Sequence, residues 1–235
     1  MKAAEDRRTH LVTGAGSGIG GAVARVLLER GDELVLLARD ASRAEDLATD
    51  FPGARTLVAD LADVASLATL DLTGPLDSVV HAAGVVELGP VGHLSAGAWR
   101  SQLDVNLLAP AELTRVALPA LRAARGTVVF VNSGAGLRAN PDWAAYAASK
   151  FGLRALADAL RQEEAAHGVR VTTVYPGRTA TPMQEQVHAQ EGRDYDPSAW
   201  IQPATVAAAV VHALDLPADA TIPDVTVSPG PAASG

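Results

Sequence analysis

Short apolar runs alternate with longer segments of helical periodicity along almost the whole chain, a pattern typical of β-strands that alternate with α-helices. The predicted strands cover residues 9–13, 34–38, 55–59, 77–81, 127–132, 169–175 and 224–227. The predicted helices cover residues 18–30, 63–70, 98–123, 143–167 and 204–214, and another begins at a capping box formed by residues 42–45. Residues 179–200 are expected to be irregular or briefly helical, and residues 1–8 and 229–235 to be frayed ends.

This order of elements predicts the α/β class: a single doubly wound, Rossmann-type domain whose central parallel sheet has six or seven strands and helices on both faces. Residues 34–38 are apolar throughout, as expected of a strand that is covered on both faces. A length of 235 residues suits one α/β domain or two small ones. Because no linker or internal repeat divides the chain, one domain over residues 1–235 is the simplest interpretation. Pro110 and Pro119 should bend or interrupt the helix at 98–123.

The composition excludes several classes of function. A formal net charge of −8 argues against a nucleic acid or an anionic membrane as partner. The absence of cysteine excludes disulfides, thiolate metal sites and a cysteine nucleophile, and the histidines show no metal-binding spacing, so we expect no metal. The start of the chain is polar and unlike a signal peptide, and no segment approaches the roughly 20 apolar residues of a membrane span. We therefore expect a soluble cytoplasmic protein.

A glycine-rich segment joins the first predicted strand to the first predicted helix. It reads Thr-Gly-Ala-Gly-Ser-Gly-Ile-Gly over residues 13–20. Glycines there permit a tight turn and let the backbone approach a diphosphate, and the helix that follows offers free N–H groups and a partial positive charge. A flexible turn without a ligand is the alternative, but the position directly after the first strand favours dinucleotide binding. A P-loop is excluded because no Gly-Lys-Ser/Thr sequence follows.

The end of the second predicted strand bears on which dinucleotide is bound. An acidic side chain at the tip of that strand hydrogen-bonds the ribose hydroxyls of NAD, whereas a nearby arginine suits the 2′-phosphate of NADP. Here the tip position is Ala38 and Arg39 follows it, which favours NADP(H). The alternative is NAD(H), with Asp40 on the ribose and Arg39 as a solvated loop charge.

Tyr146 and Lys150 stand four residues apart in the predicted helix at 143–167, so their side chains share one helical face. A free phenol has a pKa of about 10, and a nearby ammonium should lower that pKa. The pair could then exchange a proton with a substrate oxygen near neutral pH. The spacing alone is weak evidence, because a tyrosine and a lysine at this distance are more often core and solvent neighbours.

Further residues of interest stand at particular positions in the sequence relative to the glycine segment, the predicted strands and the Tyr146–Lys150 pair. They are Ser133, thirteen residues before Tyr146, Asn106 in the helix at 98–123, Asp60 after the third strand, and Pro176 and Gly177 after the sixth. Together with Gly14, Gly18 and Gly20, this set resembles the short-chain dehydrogenase/reductase family over residues 9–228. One motif departs from the family pattern, since Asn-Asn-Ala-Gly after the fourth strand is replaced by residues 81–84, His-Ala-Ala-Gly. We expect His81 to be a hydrogen-bonded residue of the core or of the cofactor side.

The resemblance implies hydride transfer between a nicotinamide cofactor, NADP(H) or NAD(H), and a small carbonyl or alcohol substrate. Tyr146 would be the general acid and base, and Lys150 would lower its pKa and bind the nicotinamide ribose. Ser133 would bind the substrate oxygen, and Asn106 would hold a water that links Lys150 to solvent. The implied cofactor-binding residues are Gly14, Ser17, Gly18, Ile19, Gly20, Arg39, Asp60, Leu61, Ala83, Gly84, Tyr146, Lys150, Pro176, Gly177, Thr179 and Thr181.

The substrate pocket should form at the carboxyl ends of the strands. Its candidate residues are Gly134, Leu137, Trp143, Arg178 and Met183, with Thr179 and Trp200 as further candidates. Their mixture favours a modest apolar ketone, aldehyde or alcohol, while Arg138, Arg178 and Arg193 leave an anionic group as the alternative. Residues 179–200 carry a glycine and several charges, which is consistent with a lid that orders on binding.

Two alternatives to an oxidoreductase remain at this point. One is a non-catalytic NADP-binding sensor or regulatory protein, which would typically lack the tyrosine or the lysine. The other is an epimerase or dehydratase, for which the chain is short. As in many members of the family, the helices at 98–123 and 143–167 could pack between subunits, so we expect a homodimer or homotetramer.

Overall fold

The central sheet contains seven parallel strands in a computed structural model that describes residues 7–230. The strands are β1 (Thr9–Thr13), β2 (Glu33–Ala38), β3 (Arg55–Val58), β4 (Ser78–His81), β5 (Thr127–Val131), β6 (Arg170–Pro176) and β7 (Asp224–Val227). Their order in the sheet is β3-β2-β1-β4-β5-β6-β7, and every neighbouring pair is parallel. The predicted doubly wound parallel sheet is therefore confirmed. Strand order reverses between β1 and β4, which is where ligands bind in such sheets.

Helices cover both faces of this sheet. They are α1 (Gly18–Glu29), α2 (Ala41–Asp50), α3 (Ala96–Leu103), α4 (Ala109–Ala124), α5 (Ala144–Glu164), α6 (Pro182–Glu191) and α7 (Pro203–Leu214). Short 3-10 turns lie at Val64–Thr69, Gly134–Gly136, Ala165–His167 and Pro197–Ala199. One buried cluster joins Leu11 of β1 to α4 and α5, and another joins Val12, the next residue, to α1 and α7. Neighbouring residues of one strand thus face opposite helical layers, as a sheet with two covered faces requires.

Backbone register and one side chain fix the place between β1 and β4 where the strand order reverses. Thr13 pairs with His81 at the ends of β1 and β4. The Thr13 hydroxyl accepts hydrogen bonds from the backbone N–H groups of Ala82 and Ala83, both at 3.1 Å. The start of the glycine segment and the segment after β4 are therefore held together at the carboxyl edge of the sheet.

The helix predicted at 98–123 is two helices joined by a π-helical turn, Asp104–Leu108. Pro110 stands in the first turn of α4. Proline has no N–H to donate to the carbonyl four residues earlier, and its ring clashes with that carbonyl. That carbonyl belongs to Asn106, where the backbone widens. Pro119 lies inside α4 without ending it.

One further prediction is wrong, and the structure refines two others. The capping box at residues 42–45 is wrong, because α2 begins at Ala41 and Asp40 caps it by accepting a hydrogen bond from the Arg43 N–H at 2.7 Å. The segment at 63–70 is a 3-10 turn rather than an α-helix. Residues 179–200, predicted as irregular or briefly helical, contain the ten-residue helix α6, which Thr181 caps.

The predicted frayed ends lie mostly outside the described residues. Arg8, which was predicted to be frayed, belongs to the described residues. Its guanidinium is held in place, since it donates to the Leu214 carbonyl at 3.0 Å and to Asp215 at 2.6 Å. Within residues 7–230, no helix combines the length and the apolar character needed to cross a membrane.

Candidate active site

A cleft of about 740 Å³ opens at the carboxyl edge of the sheet, beneath α6. It brings together most of the predicted site residues: Gly14, Ser17, Gly18, Ile19, Ala83, Gly84, Ser133, Gly134, Trp143, Tyr146, Lys150, Pro176, Gly177, Arg178, Thr179, Thr181 and Met183. Seven predicted residues do not line it: Gly20, Arg39, Asp60, Leu61, Asn106, Leu137 and Trp200. A second cavity, of about 600 Å³, lies around Asp32 and Arg55 near the amino ends of the strands and contains none of the predicted residues.

The glycine segment forms one wall of the cleft. Gly14 has a φ of +70°, and a Cβ there would lie 2.8 Å from the backbone nitrogen of Ala83, so a side chain is excluded both by conformation and by space. Ser17 precedes α1 without capping it through its side chain. Because the first N–H groups of a helix have no intrahelical partner, this end of α1 suits an anion. These residues fit the diphosphate of a dinucleotide.

Asp40, the acidic residue in the turn after β2, already accepts hydrogen bonds from neighbouring arginines. Arg39 is 78% exposed, and its Nε donates to Oδ2 of Asp40 at 3.1 Å, while Oδ1 of Asp40 accepts from the Arg43 N–H. That backbone hydrogen bond, followed by the one from Arg39, lowers the pKa of Asp40. The Arg43 side chain reaches back to the glycine segment, where its Nη2 donates to the Gly16 carbonyl at 2.8 Å.

Arg43 is a residue that the sequence analysis missed. Its contact with Gly16 spans 27 residues of sequence, and a Cβ on Gly16 would collide with its guanidinium. Residues 42–45 were interpreted as a capping box, and in such a local motif Arg43 would make no contact with the glycine segment.

Ser133, Tyr146 and Lys150 converge in the cleft. The Ser133 side chain lies beside the Tyr146 phenol, where it favours the phenolate, and its hydroxyl accepts from the Ala135 N–H at 3.1 Å. Lys150 Nζ lies 5.7 Å from the centre of the Tyr146 ring and donates to the Val131 carbonyl at 3.1 Å. The i,i+4 spacing on α5 and the end of β5 thus bring a phenol, an ammonium and a hydroxyl together.

Asn132 fixes this arrangement, although the sequence analysis did not single it out. Its side-chain oxygen accepts from the Ser133 N–H at 2.8 Å, and its side-chain nitrogen donates to the Lys150 carbonyl at 3.0 Å. One side chain therefore ties the end of β5 to α5. Its position directly before Ser133 was the available signal.

The pKa of Tyr146 differs from the expectation. Burial raises it to about 12, and the neighbouring Ser133 side chain opposes this only in part. Burial also lowers the pKa of Lys150 to about 8. The predicted lowering of the Tyr146 pKa by Lys150 is therefore wrong for the protein as described, because removal of the phenol from water disfavours its charged form more than its neighbours favour that form.

Asn106 lies in the π-helical turn, buried beside the cleft. Its side chain accepts from the Val85 N–H and donates to the Val85 carbonyl, both at 2.9 Å, and donates to the Ser149 hydroxyl at 3.0 Å. A Cβ on Gly84 would lie 3.2 Å from its Oδ1 and 3.9 Å from Lys150 Nζ, so Asn106 and Lys150 are near neighbours. The predicted water-holding role of Asn106 stays a prediction.

His81 belongs to the core. Its Nε2 lies 2.9 Å from the Thr114 hydroxyl, and its ring stacks on Phe130 with 5.0 Å between ring centres. Burial lowers its pKa to about 3, so it is neutral at ordinary pH. It does not line the cleft, which agrees with the core role that we expected.

Helix α6 closes over the outer part of the cleft. Gln186 donates to the Val86 carbonyl at 3.1 Å, and the Leu88 N–H donates to Gln190 at 2.6 Å. Trp143 packs edge-on against Tyr146 with 5.7 Å between ring centres. Of the other substrate candidates, Leu137 is exposed outside the cleft, and Trp200 lies behind Arg178 rather than on the surface of the cleft.

Within residues 7–230, no group of three or more His, Cys, Asp or Glu side chains is placed to hold a metal ion.

Comparison with known proteins gives consistent matches. A family model described as short chain dehydrogenase matches residues 8–192. An L-fucose dehydrogenase of Bos taurus is 34% identical over 84% of this chain and 74% of its own length, and an uncharacterized oxidoreductase of Listeria monocytogenes is 31% identical over 93% and 95%. The solved structure of a metagenomic short-chain oxidoreductase in complex with NADP aligns with a TM-score of 0.79 and 31% identity, covering 95% of this chain and 97% of the other.

Proposed function

Since the chain belongs to the short-chain dehydrogenase family, we propose that it is an NADP(H)-dependent oxidoreductase in which Tyr146 is the general acid and base. Membership makes the protein an NAD(P)-dependent enzyme that acts on CH–OH or C=O groups. The observation that carries the proposal is the convergence of Ser133, Tyr146 and Lys150 in a cleft that the glycine segment also lines.

The nicotinamide ring, when bound, supplies a hydride to the substrate carbon or accepts one from it. Tyr146 gives its phenolic proton to the substrate oxygen in reduction and takes the alcohol proton in oxidation. Ser133 hydrogen-bonds the same oxygen, which positions it and stabilises the negative charge that develops there. Ser133 and Tyr146 both line the cleft and lie beside each other, which supports this.

Lys150 acts on Tyr146 and on proton return. With a pKa of about 8, its amine is mostly charged at neutral pH, and a positive charge beside the phenol favours the phenolate during oxidation. Asn106 would hold the water through which Lys150 exchanges a proton with solvent. The proximity of Asn106 Oδ1 and Lys150 Nζ around Gly84 supports that role.

The preference for NADP(H) over NAD(H) is supported by the turn after β2. Both oxygens of Asp40 already accept hydrogen bonds from Arg39 and Arg43, so this carboxylate is poorly placed to bind ribose hydroxyls. The exposed Arg39 guanidinium can turn toward a 2′-phosphate, which an arginine recognises well. Asp60 and Leu61, after β3, would contact the adenine, and Thr179 and Thr181 the nicotinamide end.

Tyr146→Phe tests the proposed chemistry. We expect the variant to bind NADPH as the wild type does, measured by NADPH fluorescence, but to lose nearly all carbonyl reduction, followed by NADPH absorbance. A carbonyl panel that includes L-fucose and other aldoses would supply the substrate. Turnover close to wild type in this variant would remove Tyr146 from the mechanism.

Arg39→Gln tests the cofactor preference. We expect Kd for NADPH to rise about tenfold or more, since a charge-assisted hydrogen bond to phosphate is lost, and Kd for NADH to change little. Arg55→Gln, at an exposed arginine on β3, is the matched control. A wild-type protein that prefers NADH would contradict the Arg39 argument.

A homodimer or homotetramer is the proposed assembly. Two of the exposed large apolar residues, Leu108 and Phe151, lie on neighbouring helical segments, and Gly152 packs against Leu107 where these segments meet. Burial of such a surface against a second copy would remove apolar area from water. A non-catalytic sensor has no comparable support, because Ser133, Tyr146 and Lys150 all line the cleft.

A further inference from the structure

An ion pair stands at the outer end of the cleft, away from the glycine segment. Arg178, just after β6, donates from Nη1 to Oε2 of Glu191 at 2.9 Å and from Nη2 to Oε1 at 2.6 Å. The Arg178 guanidinium also lies 5.5 Å from the centre of the Trp200 ring. Both partners line the cleft, and the two parallel hydrogen bonds hold them in one geometry.

The stability of the fold does not account for this pair. Glu191 is the last residue of α6, where the helix dipole disfavours a negative charge. An ion pair at a partly exposed site adds little stability, and the side chains of Arg178 and Glu191 are 28% and 17% exposed. Glu191 is thus held on the wall of the cleft although the dipole of α6 disfavours its charge and the ion pair adds little stability. Ligand binding explains this placement better.

The chemistry of the pair favours hydroxyl groups. The hydrogen bonds from Arg178 lower the pKa of Glu191, so the carboxylate is ionised and only accepts, while the guanidinium only donates. A hydroxyl does both, and can donate to one partner while it accepts from the other. A hydrocarbon chain would leave both partners without water, which costs free energy.

An anionic substrate fits less well. Its carboxylate would compete with Glu191 for a guanidinium that is already neutralised. The other arginine on the cleft wall, Arg193, is 69% exposed and lies 3.9 Å from Glu191, so it stays largely in solvent. Nearer to Tyr146, the wall is formed by Trp143, Met183 and other apolar groups, which suit the C–H face of a substrate.

We propose that Arg178 and Glu191 form a hydroxyl-recognition pair and that the substrate is a neutral polyhydroxylated carbonyl compound or alcohol, of the ketose, aldose or alditol type. This inference rests on the proposed function of the same cleft. It replaces the modest apolar substrate that the sequence alone favoured.

Three five-carbon ketones test the proposal with NADPH: xylulose, which carries hydroxyls, 2-pentanone, which carries none, and levulinate, which carries a carboxylate. We expect kcat/KM for xylulose to exceed the other two by about 100-fold or more, because a site built for hydroxyls rejects analogues that lack them. Matched pairs of aldoses and alditols with their deoxy counterparts extend the series to other lengths. Turnover with a preference for 2-pentanone or levulinate throughout would overturn the inference and leave the proposed function standing, whereas no turnover of any member would overturn both.

Glu191→Gln separates recognition from a structural role. We expect it to raise KM for the preferred hydroxylated substrate about tenfold or more, with kcat within a few-fold, and to leave kcat/KM for 2-pentanone within about twofold. Glu185→Gln, the same change at an exposed position of α6, is the matched control, and thermal melting checks that both variants fold. An equal loss on both ketones in Glu191→Gln would show that the pair only holds α6, and would overturn the proposal.

Discussion

Acid should destabilise this protein through two buried histidines, His10 in β1 and His81 in β4. The pKa of His10 falls from 6.5 to about 4, chiefly because the ring is buried, although Asp32 nearby opposes the shift. The pKa of His81 falls from 6.5 to about 3 through burial alone. Both side chains are almost fully buried, so the folded protein holds them neutral while the unfolded chain protonates them near pH 6.5.

The sign and size of the effect follow from proton linkage. Because the folded pKa values are lowered, the unfolded state binds more protons below pH 6.5, and stability is lost as the pH falls toward 4 for His10 and 3 for His81. Each pH unit in that window costs about 1.4 kcal/mol per histidine. At about pH 5 each histidine therefore removes about 2 kcal/mol, or about 4 kcal/mol together, which is a large share of a typical unfolding free energy.

Urea unfolding followed by tryptophan fluorescence, at about pH 7.5 and about pH 5 and at one protein concentration, measures this difference. The carboxylates stay mostly ionised in this range, so histidines dominate. His81→Asn, which can keep a hydrogen bond to Thr114, should lose only about 2 kcal/mol on the same change of pH, whereas His93→Asn in an exposed loop should behave as the wild type. A wild-type loss below about 1 kcal/mol, or an unchanged pH dependence in His81→Asn, would refute the reasoning.

Three further predictions concern cofactor binding, stability and assembly. In Gly20→Ala the new Cβ would collide with a backbone carbonyl of its own loop; we expect NADPH binding to weaken at least about tenfold in fluorescence titration, while Gly92→Ala, in open space, binds as the wild type does. Arg122→Met leaves the buried carboxylate of Glu164 without its two hydrogen bonds at 2.6 and 2.8 Å. We expect the free energy of unfolding in urea to fall by roughly 1–3 kcal/mol and to recover in part when Glu164→Gln is added. An unchanged free energy of unfolding in Arg122→Met would show that the pair does not stabilise the fold. Phe151→Glu should give a monomeric mass in light scattering, and a mass equal to that of the wild type would argue against this face as the interface.

The inner strands could be predicted from the sequence because a strand that is covered on both faces is buried along most of its length, and the resulting short runs of apolar and β-branched residues are local. All seven strands begin and end within a residue or two of their predicted bounds. The segment at 179–200 was predicted only as irregular or briefly helical, and the bounds of α6 within it could not be predicted. Its buried positions include Gln184 and His188, and polar residues give no apolar periodicity.

Contacts that depend on the folded chain could not be predicted. The reach of Arg43 to Gly16 crosses from one βα turn to the next, and no local pattern encodes it. The pKa of Tyr146 depends on how deeply the phenol is buried, which the spacing to Lys150 does not reveal. The residue types and spacings of the catalytic set were readable, whereas its electrostatic balance needed the fold.

Asn132 has a consequence for how this scaffold can change. It joins the strand that carries Ser133 to the helix that carries Tyr146 and Lys150, so one side chain sets the spacing of the reacting groups. New substrate preferences must then arise elsewhere, in the side chains of α6 and the segment before it. Directed evolution toward a different alcohol or ketone should therefore accumulate its substitutions in α6 and the segment before it rather than around Asn132.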